Sequence, residues 1–143
     1  MAFTLAQGKT KIMHLPVTVS TALSANSLVA WSSGYLIAAT SSSAPSTIAG
    51  VLKKAIVAAD SDYATARLVE VEVPIENYVV WEADVTSGLV AADVGLYQDL
   101  TDAVTVNRAA STYDIVQCVG VKSTTKGLFI LNIGTAGQGV IGA

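Results

Sequence analysis

The sequence predicts an all-β fold, a single compact barrel or sandwich, and three observations carry that prediction. Strand-sized segments of alternating or wholly apolar character follow one another at short spacing, and no stretch has the length, periodicity and caps of a strong amphipathic helix. Charged residues occupy only 13% of the 143 positions, about half the usual ~25%, so packed side chains outweigh solvated ones. A chain of this length fits one domain and buries roughly two thirds of its unfolded surface.

Residues 1–11 form an N-terminal arm. Phe3 and Leu5 share a parity, so an extended arm presents both on one side, with Gly8, Lys9 and Lys11 after them. Two placements stay open: a flexible arm that orders on a neighbour, adding a strand to its sheet edge, or a first strand docked in its own sheet. Residues 10–15, 28–31 and 35–40 read as strands, with Ser32, Ser33 and Gly34 as a tight turn between the last two. Residues 20–27 and the Ser/Thr/Pro cluster 40–47 are loops. Within 48–59, Val51, Leu52, Ala55, Ile56 and Ala59 have helical spacing, but the segment is short and uncapped. A strand is preferred, with 58–62 as the turn after it.

The clearest element is residues 67–75. Val69, Val71, Val73 and Ile75 fall on one face, and Glu70, Glu72 and Pro74 on the other, the pattern of a half-buried strand. Leu68 alone breaks it, and Pro74 marks an edge or a strand end. Residues 78–83, after the short turn at Glu76 and Asn77, read as the hairpin partner. Residues 113–122 and 128–133 are apolar on both faces, as in the middle of a closed or covered sheet, with 123–127 as a hairpin connection. The β-domain therefore spans 12–133. The tail 134–143 holds four glycines and no charge, so it is expected to be mobile or ordered only by a neighbour.

The residues that usually carry catalysis are scarce. One histidine, His14, and one cysteine, Cys118, are present, which rules out an internal disulfide and a cysteine-based zinc cluster. Cys118 is expected to be a buried inert thiol and His14 a partly buried strand residue. No Gly-x-Ser-x-Gly elbow occurs. Asp60, Ser61 and Asp62, like Asp99 and Asp102, lack the spacing of a calcium loop and read as turn formers. The expectation is a protein that is not an enzyme, with no catalytic residues, no cofactor and no metal.

Net charge is −3 and the eight basic residues are scattered, which argues against nucleic acid as a partner. No stretch approaches the ~20 apolar residues of a membrane helix, and no signal-peptide core follows the first residues. A cytosolic product with no membrane contact is expected. Glu70 and Glu72 are read as a solvent-facing pair that protects a strand edge or faces a basic neighbour. Tyr78 and Trp81 have opposite parity, so one is core and the other an exposed aromatic suited to an interface.

From residue 48 onward a family likeness emerges. Ile-Ala-Gly-Val-Leu-Lys-Lys-Ala-Ile at 48–56 runs into the turn Ala-Asp-Ser-Asp-Tyr at 59–63, followed by the strand at 69–74 and Glu-Ala-Asp-Val at 82–85. Ala-Asp-Val-Gly-Leu-Tyr-Gln-Asp-Leu at 92–100 and the closing Leu-Asn-Ile at 131–133 complete the order. This order resembles small head decoration (cement) proteins of tailed bacteriophages. The resemblance implies a small β-barrel that binds the outer surface of an expanded icosahedral capsid and locks neighbouring major capsid subunits together. It also implies a homo-oligomer, a trimer, and places the product on the virion after synthesis in the host cytoplasm. Gly50, Gly95 and Asp99 would set turns. Contacts with the capsid or a neighbouring protomer are expected at Phe3, Leu5, Lys9, Lys11, Tyr78 and Trp81. A tail-tube or head-completion ring subunit and a surface carbohydrate-binding module are the alternatives.

Overall fold

The computed structural model describes residues 3–65, 67–76, 78–86 and 88–132. The tail 134–143 lies outside these, as does Ile133, the expected end of the last strand. The regular structure of the described residues is strand, apart from two one-turn 3-10 helices at Pro45–Thr47 and Ala91–Asp93. The strands are β1 (Thr4–Gln7), β2 (Thr10–Pro16), β3 (Leu28–Ser32), β4 (Tyr35–Ala38), β5 (Ile48–Leu52) and β6 (Leu68–Pro74). After them come β7 (Val80–Val85), β8 (Tyr97–Asp102), β9 (Thr105–Asn107), β10 (Val116–Ser123) and β11 (Lys126–Leu131).

Five strands close into a barrel in the order β7-β11-β10-β8-β9, with β9 returning to β7. Closure works because β7 divides one edge between two partners. Val80, Trp81 and Glu82 pair antiparallel with β1, whereas Asp84 and Val85 pair in parallel with β9. Period-2 alternation sends Trp81, Ala83 and Val85 inward to meet Phe129, Leu131, Val116, Cys118, Leu100 and Val106. All are buried.

The other five strands form a second sheet, β2-β6-β5-β3-β4. A bridge between Val17 and Leu36 brings its two margins together. Its strands β3 and β5 are buried on both faces. Leu28, Ala30, Ile48 and Val51 join the barrel's core, while Val29, Ala49 and Leu52 join a second cluster with Leu36, Val69, Val71 and Val73. This double burial explains why residues 48–52 are uniformly apolar and strand, whereas the expected strand does not run on to 59: residues 53–59 lie outside β5, and Ile56 makes only an isolated bridge to Leu23. Gly50 serves a close approach there: a Cβ would stand 2.5 Å from the carbonyl oxygen of Glu72.

Several expectations are corrected. Residues 78–83 are not the hairpin partner of 67–75. Both edges of β6 are already taken, by β2 along its whole length and by β5 at Val71 and Glu72, so the chain crosses to the barrel instead. Ile75 lies past the strand end and is exposed. Glu72 is buried, not solvent-facing: the Thr10 hydroxyl donates to its Oε2 at 2.7 Å and Lys53 Nζ to its Oε1 at 3.1 Å. Glu70 keeps its expected exposure. Strand β10 begins three residues later than expected and its hairpin to β11 is tighter, with Ser123 paired to Lys126.

The described part of segment 1–11 lies along its own molecule, the second of the two placements. Phe3 is fully buried in the barrel's core cluster and donates its N–H to Asn26 O at 2.9 Å. Leu5 sits opposite Trp81, where β1 loses register before Gln7, and stays 40% exposed.

Candidate interaction surface

The chain crosses between barrel and second sheet at Gly8 and Lys9 and again between β6 and β7, where the described residues Ile75 and Glu76 lie beside the first crossing. The Lys9 N–H donates to Glu76 Oε2 at 2.8 Å, and the Ile75 N–H donates to Lys9 O at 3.1 Å. Gly8 has φ +105°, and a Cβ on it would stand 2.9 Å from Val79 Cα. Only glycine allows this contact. At the apex of the second crossing Tyr78 holds φ +60°, a left-handed conformation that costs roughly 1–2 kcal/mol for a residue with a Cβ. Its side chain is 71% exposed. A bulky residue held in this region while showing its ring to solvent is a candidate interaction position. Trp81, three residues on, is fully buried. The pair thus divides as its parity predicts.

A second exposed surface lies on another side of the barrel. Within residues 90–97 the only charged side chain, Asp93, is turned inward. Arg108 Nε donates to Asp93 Oδ2 at 2.9 Å, and the Val90 N–H donates to the same oxygen at 2.9 Å. These two donors, the guanidinium first, hold the Asp93 carboxyl below the usual carboxylate range. With its charge engaged, the segment shows Val90, Val94, Leu96 and Tyr97 to solvent. Gly95, with φ +95°, makes the turn into β8.

Asp99 seats the neighbouring loop. It is a buried strand residue, not the turn former expected from both the residue pattern and the family likeness. Its carboxylate accepts the backbone N–H groups of Thr112, Tyr113 and Asp114 at 3.0, 2.7 and 2.8 Å. Between this loop and β8 runs a groove of about 340 Å³ lined by Leu96, Tyr97, Arg108, Ala109, Ala110 and Asp114.

Elsewhere the charges mostly find partners within the chain. Lys53 pairs with Glu72, Lys122 with Glu82, and Lys126 with Asp84. Hydrogen bonding to Asp84 raises the Lys126 ammonium. Arg67 binds both Asp60 and Asp62, and the Val57 N–H donates to Asp60 Oδ2 at 3.1 Å. This is the turn expected for residues 60–62. Among the described residues no three His, Cys, Asp or Glu side chains gather as a metal site would require.

His14 and Cys118 do not come together. Cys118 is fully buried in the barrel, where burial pushes its thiol pKa up and away from thiolate chemistry. His14 is exposed on β2, correcting the partly buried placement, because it pairs with Glu70 on the outer side of the strand pair, 3.6 Å from its carboxylate.

Of the six expected contact residues, Tyr78, Leu5, Lys9 and Lys11 reach the surface, whereas Phe3 and Trp81 are core. Leu96, Tyr97, Asp93, Arg108 and Asp99 were not among them. An exposed apolar run around one aspartate was the available signal, but turning Asp93 inward needs Arg108, fifteen residues away. No helix among the described residues is long and apolar enough to cross a membrane. Comparison with protein-family models gives no match, and comparison with curated proteins gives none either.

Proposed function

We propose that this chain is a structural protein of a bacteriophage particle, a decoration protein that binds the outer capsid surface and clamps neighbouring major capsid subunits. The observation that supports this reading best is the surface itself. A closed β body displays large apolar side chains at separate places, with Tyr78 foremost, while many of its charges are tied in internal pairs. Such a surface gains free energy by being covered, at about 25 cal/mol per Å² of apolar area, and repetition over a symmetric shell multiplies weak single contacts. The family likeness at residues 48–133 points the same way. A homotrimer is the oligomer this reading favours, and no cofactor enters it.

Co-sedimentation tests the proposal. Purified protein is mixed with bare phage heads of the parent virus, expanded and unexpanded, and pelleted. Saturable binding to expanded heads, weakened by Tyr78→Ala without loss of fold, is expected. A protein that leaves both kinds of head bare, or that assembles alone into long tubes, contradicts it.

A further inference from the structure

We infer that the groove beside β8 is a binding site for a neutral saccharide, a second function carried on the barrel away from Tyr78. At about 340 Å³ the groove lies within the ~300–1,000 Å³ of small-ligand clefts. Its lining is mixed. Tyr97 brings an exposed aromatic ring, while Arg108, Ser111 and Asp114 bring a cation, a hydroxyl and a carboxylate to the same hollow. Ala109 and Ala110 leave its floor free of bulk. The loop that carries these groups is fixed from beneath. Buried Asp99 accepts the N–H groups of Thr112, Tyr113 and Asp114, and its own N–H donates to Ala110 O at 2.9 Å. Arg108 is held at two points, its backbone N–H on Thr86 Oγ1 at 3.0 Å and its Nε on Asp93 Oδ2 at 2.9 Å. These anchors leave the outer polar groups unused. The Nη groups of Arg108, the Ser111 hydroxyl and the Asp114 carboxylate bond no described residue. Donors and acceptors are thus set in place before a ligand arrives, which spares binding the cost of ordering them.

The presence of both signs selects the ligand. Arg108 and Asp114 lie in one hollow, so neither an anion nor a cation gains net attraction by entering it. A purely apolar ligand would strip water from both charges and replace none of the lost bonds. A sugar ring meets every group. Its hydroxyls accept from the guanidinium and donate to the carboxylate, bonds stronger than those between neutral partners. Its C–H face lies on the ring of Tyr97. The groove also stands apart from the capsid contact. Tyr78 leads into β7 and the groove flanks β8, with β11 and β10 between them on one side and β9 on the other. The inference does not rest on the capsid proposal, because sugar and purified protein alone decide it.

Two-dimensional ¹H–¹⁵N NMR of the full chain tests it, with glucose, galactose, mannose, rhamnose and N-acetylglucosamine as probes and glycerol as control. At least one sugar is expected to shift the amides of residues 96–98 and 108–114 saturably, while glycerol leaves them in place. Tyr97→Ala and Asp114→Asn are each expected to weaken that binding at least about tenfold, and Tyr97→Phe to keep it, all three melting near the native temperature. Asparagine tolerates the left-handed backbone of position 114, φ +55°, so Asp114→Asn decides the matter if Tyr97→Ala fails to fold. The bound sugar should leave co-sedimentation with phage heads unchanged. No saturable shift with any of the five sugars, shifts confined to another surface, an equal response to glycerol, or variants that bind as the native does would each overturn the inference. Release of the protein from heads by the sugar would make the groove a capsid contact and overturn it as well.

Discussion

At the scale of single residues, burial of the Glu72 carboxylate is the feature least visible in advance. Strict alternation along 67–75 separates Glu72 from the second cluster, but it does not make that face solvent: Val51, paired with Glu72, belongs to the core shared with the barrel. Nor does alternation show that Thr10, on β2, and Lys53, just past β5, bond its carboxylate. Glu72→Ala is therefore expected to cost about 1.5–3 kcal/mol, the range for hydrogen bonds to a charged group, and Glu70→Ala under about 0.5 kcal/mol, as for an ordinary surface site. Urea unfolding of the two variants checks this, and equal midpoints would return Glu72 to the surface. Asp93 gives a pH-dependent counterpart. Its folded-state pKa lies below its unfolded value, near 3.9. The stabilisation it brings is thus complete above that value and lost as pH falls through the folded pKa. Asp93→Asn should melt lower than the native protein at pH 7, and the gap should narrow below about pH 4. A gap that widens in acid would show that Arg108 does not favour the ionised form.

At the scale of elements, local pattern and long-range pairing part company. Strands β2, β3, β4 and β6 were legible because their apolar periodicity or turn chemistry is local; the Ser33 and Gly34 turn, both at positive φ, is one such case. Strands β8 and β9 were not. In β8 the inward positions are Gln98 and Leu100, and the outward ones include the buried Asp99, so polarity and burial disagree along the strand. The Gln98 side-chain amide and Trp81 Nε1 are buried with no partner among the described residues, and the fold offers no account of them. The partnering of β7 was misread for a different reason. Sequence proximity favours β6, but β6 has no free edge. The first strand was undecided because nothing within residues 1–11 says whose core receives Phe3. Here it is the molecule's own, so Phe3→Ala is expected to destabilise by about 3–5 kcal/mol, read as a large drop in the melting temperature of the isolated protein. Little change would return the segment to the role of a free arm that docks on a neighbour.

At the scale of the whole molecule, the closed barrel and the curled second sheet share one core through Leu28, Ala30, Ile48 and Val51. The two crossings clasped at Lys9 and Glu76 join them again, and that clasp presents Tyr78. The exposed apolar groups therefore stand on a body with two packed cores, and preorganisation of this kind spares an interface the cost of ordering its own residues. The proposal of a clamp on a capsid rests on that property, and electron cryo-microscopy of expanded heads saturated with added protein tests it most directly. The account predicts added density on the outer surface, repeated with the shell's symmetry and bridging adjacent major capsid subunits, with Tyr78 at a contact. Heads that show no added density, or density confined to the portal and tail, would contradict it.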